Sequence, residues 1–414
     1  MQADSLVLGA GIVGVSVAIH LAQRGRSVVL VDRKEPGNET SFGNAGLIQR
    51  EGVNPHAFPL EFGKILNYSR NRSVDMFYHA DALPRLAPFL FRYWRASWPK
   101  SYREIVRRYA PLIGQSINEH DALIRAAGAE DLIVKDGWFL VYRGKAARDL
   151  GFAKAERLRR EFGVTSDLLD GAGMAAAEPA LSLNLAGAVH WQDPWTIRDP
   201  HALVEAYFRL FQQLGGTFVE ADATGVEESA GGWRLKTKDG TIEAREAVVA
   251  LGPWADTVTK RLGYRLPLAV KRGYHMHYAQ PKETPLTHWV LDAEPSYLLA
   301  PMARGIRLTT GVEFAPRDAP PTPVQLGRAE PFARELVPLG ERLDPQPWMG
   351  CRPATPDMLP IIGPAPRHKN LWFAFGHAHH GMTLGPATGR LLAEQMVGET
   401  PYIAPEAFFP ARFL

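Results

Sequence analysis

The first thirty residues alternate between apolar strands, a glycine-rich turn and an apolar helix. Residues 5–8 form a short β-prone apolar run, and residues 9–14 then read Gly-Ala-Gly-Ile-Val-Gly. Apolar residues recur at i, i+4 spacing until Gly25, which predicts a helix that ends there. Residues 27–31 (Ser-Val-Val-Leu-Val) have the pattern of a buried parallel strand, and Asp32 follows them. The pattern predicts a compact βαβ unit.

Each glycine of the turn has a physical reason to be there. Gly9 permits the tight turn, Gly11 lets the backbone approach a pyrophosphate, and Gly14 lets the helix pack closely on the strand. The amino end of the helix then offers N–H groups and a positive dipole to phosphates. Asp32 stands where a carboxylate accepts hydrogen bonds from ribose hydroxyls. The unit therefore predicts dinucleotide binding, and this motif alone leaves NAD and FAD both open.

Further strands of the same nucleotide domain come much later in the chain. Residues 216–220 and 247–254 read as strands, the second running into a Gly-Pro-Trp turn, and residues 371–375 read as another. The loop 376–381 (Gly-His-Ala-His-His-Gly) follows, and then a helix. Strands that return after some 200 and 370 residues predict a discontinuous domain with other material inserted.

Together, the amino-terminal fingerprint and three other segments carry a family resemblance. These segments are Ser-Phe-Gly-Asn-Ala-Gly at 41–46, Gly-Cys-Arg-Pro-Ala-Thr-Pro-Asp at 350–357 and Gly-His-Ala-His-His-Gly-Met-Thr at 376–383. The combination resembles the D-amino acid oxidase-like flavoprotein superfamily. Within it, the chain looks most like bacterial D-amino acid dehydrogenases, including the D-hydroxyproline dehydrogenase branch. Ala378 departs from the pattern, because many relatives have glycine there.

The resemblance implies FAD as the cofactor and an α/β fold with two lobes. We expect a discontinuous Rossmann-like FAD-binding domain over residues 1–55, 198–265 and 345–414. A substrate-binding domain of α+β type, built on an antiparallel sheet, is expected over 56–197 and 266–344.

Residues 266–314 alternate as antiparallel strands that, in the family, form a roof over the flavin. In the first of these strands Lys271, His275 and His277 share one face. The other face carries Val270, Arg272, Tyr274, Met276 and Tyr278. Residues 138–142 and 188–191 are expected to add edge strands.

The resemblance also assigns site residues. Arg352 is expected to clamp the substrate carboxylate, because a planar guanidinium matches a carboxylate with two parallel hydrogen bonds. The alternative is that Arg352 pairs with Asp357 and braces the loop. Tyr297, Tyr274 and Arg272 are expected to donate further hydrogen bonds, and His379 is expected beside the flavin. We expect FAD to contact Gly9, Gly11, Ile12, Val13, Gly14, Asp32, Arg33, Ser41, Asn44, Ala45, Gly46, Leu47, Thr224, Leu251, Gly252, Trp254, His380, Gly381, Met382 and Thr383.

Two other interpretations of these motifs are weaker. His377, His379 and His380 suggest a metal, but no carboxylate or cysteine cluster accompanies them, so no metal is expected. Cys351 suggests a covalent flavin, yet relative to Thr355 and Asp357 it lies one residue out of register. Non-covalent FAD and a buried thiol are the prediction.

Composition narrows the class of protein. The net charge of +3 argues against general nucleic-acid binding, and a single cysteine excludes an internal disulfide. No apolar run reaches the length of a membrane span, and the amino terminus lacks a basic leader, so a soluble, cytoplasmic chain is expected. Residues 85–108 hold seven cations among six aromatic residues. They predict either helices with solvated arginines or a peripheral contact with the inner face of a membrane and its quinones.

The function these observations predict is oxidation of an amino acid. The substrate is expected to be a D-amino acid, or D-proline or hydroxyproline, whose α-hydrogen leaves as hydride to flavin N5, giving the imino acid. Electrons are expected to pass to a non-oxygen acceptor such as a quinone or the respiratory chain. A glycine, sarcosine or D-amino acid oxidase using oxygen is one alternative. A flavoprotein subunit or RNA-modifying factor without amino acid turnover is another.

Overall fold

A computed structural model describes all 414 residues of the protein. The strands are β1 (Gln2–Leu8), β2 (Val28–Asp32), β3 (Leu47–Ile48), β4 (Met76–Tyr78), β5 (Ile133–Val134), β6 (Trp138–Tyr142), β7 (Ser166–Asp170), β8 (Gly187–Trp191), β9 (Trp195–Ile197), β10 (Thr217–Glu220), β11 (Glu227–Ser229), β12 (Gly232–Thr237), β13 (Gly240–Val249), β14 (Ala269–Tyr278), β15 (Trp289–Asp292), β16 (Tyr297–Met302), β17 (Gly305–Thr309), β18 (Val312–Phe314), β19 (Trp348–Ala354), β20 (Ile361–Pro364) and β21 (Leu371–Phe375). The helices are α1 (Ile12–Gln23), α2 (Phe62–Ser69), α3 (Leu83–Ala96), α4 (Pro99–Gly114), α5 (Ser116–Ala127), α6 (Lys145–Phe162), α7 (Gly171–Ala177), α8 (Pro200–Gln213), α9 (Ala255–Arg261), α10 (Val324–Leu336) and α11 (Gly381–Val397).

The first large sheet is assembled from distant parts of the chain. Its order is β10-β2-β1-β13-β12-β11, with β21 beside β13 and β20 beside β21. β1 pairs in parallel with β2 and β13, whereas β12 and β20 run antiparallel to their neighbours. The strands come from residues 2–32, 217–249 and 361–375, so the discontinuous α/β architecture predicted from the sequence is confirmed.

Close packing of α1 on this sheet depends on glycine. Gly9 has φ +107°, a conformation that side chains rarely allow. A Cβ on Gly14 would lie 1.8 Å from the carbonyl oxygen of Gly9, so only glycine fits where the helix crosses the turn. On the buried side of α1, Val15, Val17 and Ile19 are fully enclosed, and each such side chain contributes about 1.5–3 kcal/mol of hydrophobic stabilisation.

The second large sheet has the order β4-β18-β14-β17-β16-β15-β6-β8-β7, with β19 paired to β14. β6 and β8 lie inside this sheet, because each has a paired strand on both sides. β6 pairs with β15 and β8, and β8 pairs with β6 and β7. The expectation of edge strands at 138–142 and 188–191 is therefore wrong. β19 pairs with β14 from Trp348 to Ala354, so the segment that carries Arg352 is hydrogen-bonded into this second sheet.

The two faces of β14 have different surroundings. Tyr274, Met276 and Tyr278 pack into a core beneath α10, together with Leu326 and Ala329. The opposite face carries Lys271, Gly273 and His275. Directly opposite residues of an antiparallel pair share a face, and Lys271 stands opposite Arg352 on β19. On this second face, Gly273 and Arg352 border a long cavity.

Residues 85–108 form most of α3 and α4. Phe89 and Tyr93 are buried, but Phe91 is 57% exposed and Trp98 is 47% exposed. The buried side chains fit helices that pack their aromatic residues inward, and the exposed ones fit a surface that contacts a membrane. Each interpretation therefore explains only part of the segment. No helix of the structure combines the length and the apolar character required to cross a membrane.

Candidate active site

A long cavity joins the first sheet to the β14–β19 pair. It holds about 1720 Å³ of space free of protein atoms, with its open mouth included, and residues from both large sheets line it. One end lies at the carboxyl ends of β1 and β2, and the other lies under β14 and β19. A cavity of this length suits an extended ligand with a second molecule beside it.

The middle of the cavity is built for phosphate groups. Gly9, Gly11, Ile12 and Val13 line it at the start of α1. The Ile12 N–H donates to Ser41 Oγ at 3.1 Å, so the 41–46 loop is fastened to the first turn of the helix. Gly11 caps α1 without a side chain, which leaves the helix dipole facing the cavity. The backbone here offers what a pyrophosphate requires.

One end of the cavity fits an adenosine group. Asp32 lines it with Arg33, Thr224 and Trp254. The Asp32 carboxylate accepts from the Ala10 and Arg33 N–H groups, both at 2.7 Å, and burial raises its pKa. The Arg33 guanidinium lies 4.4 Å from the centre of the Trp254 ring, which fixes both side chains at the rim.

Arg352 lies at the other end of the cavity without an acidic partner. Its guanidinium lies over Gly273, where a Cβ would come within 2.5 Å of Nη2. One hydrogen bond, from Nη1 to the Gly311 carbonyl at 2.9 Å, holds it. Burial lowers its pKa to about 10, and no carboxylate offsets that effect. Asp357 pairs instead with Arg412 at 2.7 Å, so the alternative that Arg352 braces its loop through Asp357 is wrong.

The neighbouring histidines are neutral at physiological pH. The rings of His379 and His56 lie 4.4 Å apart at the cavity. Burial lowers the pKa of His56 to about 4, and burial together with the charges of His380, His56, Arg352 and Lys271 holds that of His379 well below its usual range. The charges that lower the pKa of His56 belong to Lys154, Lys271, Arg352 and Lys64, so this end of the cavity faces several cations.

Comparison with known proteins assigns the family. A family model described as FAD dependent oxidoreductase matches residues 4–395. The chain belongs to this DAO family of FAD-dependent oxidoreductases. It is 31% identical to a D-amino-acid oxidase of Bradyrhizobium diazoefficiens, over 99% of this chain and 98% of the relative. A D-amino acid dehydrogenase of Chromohalobacter salexigens is 30% identical, over 99% of both chains. The solved glycine oxidase from Geobacillus kaustophilus shares the fold, with a TM-score of 0.77 at 20% identity, covering 100% of this chain and 99% of that one.

The enzyme is thus an FAD-dependent amino acid oxidoreductase, and the cavity fits its cofactor. The glycine cradle accepts the pyrophosphate, Asp32 stands at the ribose position, and α11 begins at Gly381 with no side-chain cap on its free N–H groups. Of the FAD contacts predicted from the sequence, sixteen border the cavity: Gly9, Gly11, Ile12, Val13, Asp32, Arg33, Ser41, Asn44, Ala45, Leu47, Thr224, Leu251, Gly252, Trp254, Gly381 and Met382.

The other four predicted contacts support the cavity from behind. Gly14 packs against Gly9, and Gly46, with φ +73°, lies against Ile197. His380 Nδ1 bonds the Tyr109 hydroxyl at 2.6 Å, and Thr383 Oγ1 donates to the Leu47 carbonyl at 3.0 Å. These residues fix the backbone around the cofactor, and the structure does not place them along it.

Three predicted substrate contacts need correction. Arg272 lies on the far face of β14 and pairs with buried Glu313 at 2.7 Å. The Tyr274 hydroxyl also donates to Glu313 at 2.7 Å, although the residue borders the cavity. Tyr297 lies in the core under α10, where its hydroxyl donates to Asp292 at 2.9 Å. These polar groups are committed to one another, so only Arg352 and His379 of the five predicted residues present free polar groups to the substrate end.

Sequence reasoning missed several residues near the substrate end. His56 and Gln49 lie in a loop, and no motif singles them out. Trp348 closes the cavity beside its stacking partner His275, with ring centres 4.9 Å apart. Behind Gln49, burial raises the pKa of Glu51 to about 7, although its carboxylate accepts hydrogen bonds from Gln49 and Trp138. In the sequence, only the closeness of these residues to recognised motifs indicates that they belong to the site.

Cys351 faces away from the cavity. It stands opposite Arg272 in the β14–β19 ladder and therefore shares the far face with it. Its thiol lies 4.0 Å from the Arg317 carbonyl, and burial raises its pKa to about 11. A protonated thiol on this face is poorly placed to attack a flavin, which supports non-covalent FAD.

Proposed function

We propose that the enzyme oxidises the CH–NH bond of a D-amino acid whose carboxylate binds Arg352. The observation that carries the proposal is a guanidinium at the cofactor cavity with one backbone hydrogen bond and no acidic partner. A cation left in such a place has a large desolvation cost, which a bound carboxylate offsets through two parallel hydrogen bonds. The D configuration rests on the names of the two relatives.

The protein's part in the reaction is binding and orientation. FAD, when bound, accepts the hydride that leaves the substrate α-carbon. Arg352 fixes the carboxylate, and Gly273 leaves room for the guanidinium above β14. Trp289, Leu291 and Leu298 line the cavity with apolar surface, which keeps water away from the reacting carbon. The substrate amine reacts in its neutral form, so the mechanism requires no general base from this chain.

The proposal is tested by mixing purified, flavin-loaded enzyme with single amino acids in the absence of oxygen. Bleaching of the flavin absorbance by D-amino acids, or by D-proline or hydroxyproline, and not by their L-isomers is the expected result. Bleaching only by L- or N-alkyl amino acids would contradict the stereochemical part. If no amino acid bleaches the flavin, the enzyme serves as a flavoprotein subunit or RNA-modifying factor and the proposal fails.

We propose further that electrons leave to an acceptor other than oxygen. Exposed Phe91 and Trp98 lie among the cations of α3 and α4, and exposed Phe62 and Leu66 lie on α2. Phe58, four residues before α2, packs against Tyr93 of α3 with ring centres 5.7 Å apart, so these surfaces adjoin. Apolar side chains rimmed by cations suit peripheral contact with an anionic bilayer that holds quinones.

Two measurements test this second proposal. The reduced enzyme should pass electrons to a soluble quinone faster than it forms hydrogen peroxide in air, and rapid peroxide formation would identify an oxidase. In sedimentation with anionic vesicles, binding should appear at low salt and weaken at high salt, each cation contributing about 1 kcal/mol at most. Absence of binding at low salt assigns α3 and α4 to ordinary packing.

A further inference from the structure

Lys271 is a second unpaired cation beside Arg352. It lies directly opposite Arg352 of β19 and on the same face of the strand pair, just behind the residues that line the cavity. Paired residues of an antiparallel ladder have Cα atoms about 4.5–5.5 Å apart, so both side chains start from the same patch of sheet. The Lys271 ammonium lies 4.2 Å from the centre of the Tyr93 ring and 5.8 Å from that of Phe314. These aromatic faces favour a cation but leave its N–H groups free.

No carboxylate pairs with Lys271 or Arg352. Burial, and then the charge of Arg352, lower the pKa of Lys271 to about 7, and no carboxylate counteracts them. Lys271 and Arg352 both lower the pKa of His56 and His379, and Lys154 of α6 also lowers that of His56, so these groups lie within electrostatic reach of one another. Lys271 is therefore close to the midpoint of its titration at neutral pH, and an anion bound beside it would favour its charged form.

One α-carboxylate compensates only one of the two cations. The remaining ammonium would stay desolvated beside the guanidinium, where like charges repel. An anionic group elsewhere on the substrate removes that penalty, because it supplies a charge-assisted hydrogen bond to an ammonium whose three donors are unused. Amide analogues of the same shape lack the charge and gain much less.

We infer that Lys271 binds a second carboxylate, so that the preferred substrates are dicarboxylic amino acids. The inference rests on the proposed function, because it assigns the α-carboxylate to Arg352. Lys271 is then a specificity-determining residue, since it holds the far end of the substrate and leaves the reacting carbon to Arg352 and the cofactor.

The kinetic test compares matched pairs that differ only in one charge: D-aspartate with D-asparagine, and D-glutamate with D-glutamine. In the wild type, kcat/KM should favour the acid of at least one pair by about 10-fold to 100-fold. In Lys271→Met that preference should fall to about 1, because the loss of kcat/KM is larger on the acid than on the amide, and Lys271→Arg should retain the preference. Lys64→Met is the control, because Lys64 is exposed on α2, has no ion pair and acts on His56 only through its distant charge.

Binding without turnover provides an independent measurement. Succinate and propionate lack the amine, so neither is oxidised, and both should perturb the flavin absorbance of the loaded enzyme when they bind. Succinate should bind at least about 10-fold more tightly than propionate in the wild type, and equally in Lys271→Met.

Three outcomes would overturn the inference. Equal rates for acids and amides in the wild type would show that Lys271 does not select charge. An equal loss on every amino acid in Lys271→Met would place the α-carboxylate on Lys271. Loss of FAD from Lys271→Met would give it a cofactor role. If no amino acid at all bleaches the flavin, the proposed function itself has failed, and tighter binding of succinate than of propionate still reports on the subsite.

Discussion

The two faces of β14 carry cations in opposite circumstances. On the far face, Arg272 is fully buried, and its guanidinium is surrounded by Glu313, the Tyr274 hydroxyl and backbone carbonyls of Ala319 and Pro320. On the cavity face, Arg352 has one backbone hydrogen bond and Lys271 has none. One strand pair therefore holds a satisfied ionic network on one side and unsatisfied charges on the other.

The difference between the two faces distinguishes cations that support the fold from cations that are available to bind a ligand. A buried charge that is fully paired can stabilise the fold, whereas an unpaired one costs stability and persists only where a ligand completes it. The Arg272 network ties β14 to β18, because Glu313 lies on β18, and it ties β14 to the segment before α10 through the Ala319 and Pro320 carbonyls. On the cavity face, Arg352 borders the cavity, and neither Arg352 nor Lys271 has an acidic partner. We therefore assign the far face to folding and the cavity face to substrate.

Arg272→Met should cause the largest change in stability among the variants that distinguish the two faces. It leaves the Glu313 carboxylate buried without its counter-ion, so the free energy of unfolding should fall by about 3–5 kcal/mol. Guanidinium unfolding followed by circular dichroism measures it. The double variant Arg272→Met/Glu313→Gln removes both charges and should recover at least half of the loss. A single variant as stable as the wild type would contradict the structural role of this face.

Replacing Lys271 should change the stability in the opposite direction from Arg272→Met, and the size of the change should depend on pH. Its pKa is lowered from 10.5 to about 7 by burial and by Arg352, while the other groups that face it are Tyr93, whose pKa is raised by burial, and the neutral His56 and His379. Between those two pH values, the unfolded chain holds a proton that the folded protein has released. The stability of the wild type relative to Lys271→Met should therefore rise with pH.

Unfolding of both proteins at pH 6.5 and pH 9.5 measures that change, and we expect it to be roughly 2–3 kcal/mol. Below pH 7 the charged lysine destabilises the fold fully, so Lys271→Met should be the more stable protein there. A difference between the two proteins that is independent of pH would show that the ammonium is well solvated or paired.

A smaller effect should come from Gly273→Ala, which changes the cavity face without removing a charge. The new Cβ would lie 2.5 Å from Arg352 Nη2, so the guanidinium must shift. We expect kcat/KM to fall by about 10-fold, because the carboxylate clamp loses its position while FAD content stays intact. Gly327→Ala in α10, where a Cβ meets nothing, is the control. Unchanged kinetics in Gly273→Ala would show that the position of Arg352 is not set by this contact.

The sequence was sufficient for the cofactor half of the fold and insufficient for the substrate half. The βαβ unit is local, so the glycines and Asp32 identify themselves through spacing alone. In β14, the period of two separated Lys271 from Arg272 and Tyr274, but the period does not say which face meets the cavity. The face chosen for substrate donors was the wrong one, because Glu313, which satisfies Arg272, lies forty-one residues away on β18.

Other site residues depend on contacts between distant segments. Tyr297 reads as a polar aromatic on a roof strand, and only the packing of α10 shows that its hydroxyl belongs to Asp292. His56 lies in a loop with no motif, and the approach of the 376–381 loop brings it to His379. Such residues become visible only when the tertiary structure is known.

The most direct test of the account is flavin reduction without oxygen in Arg352→Met. This variant should keep its FAD and its resistance to unfolding, since it removes an unpaired charge. The transition-state free energy derived from its kcat/KM with a D-amino acid should rise by roughly 2–4 kcal/mol. An amine that has the same side chain but lacks the carboxylate should react at the wild-type rate. Loss of FAD, or wild-type rates with amino acids, would contradict the assignment of the cavity face to substrate.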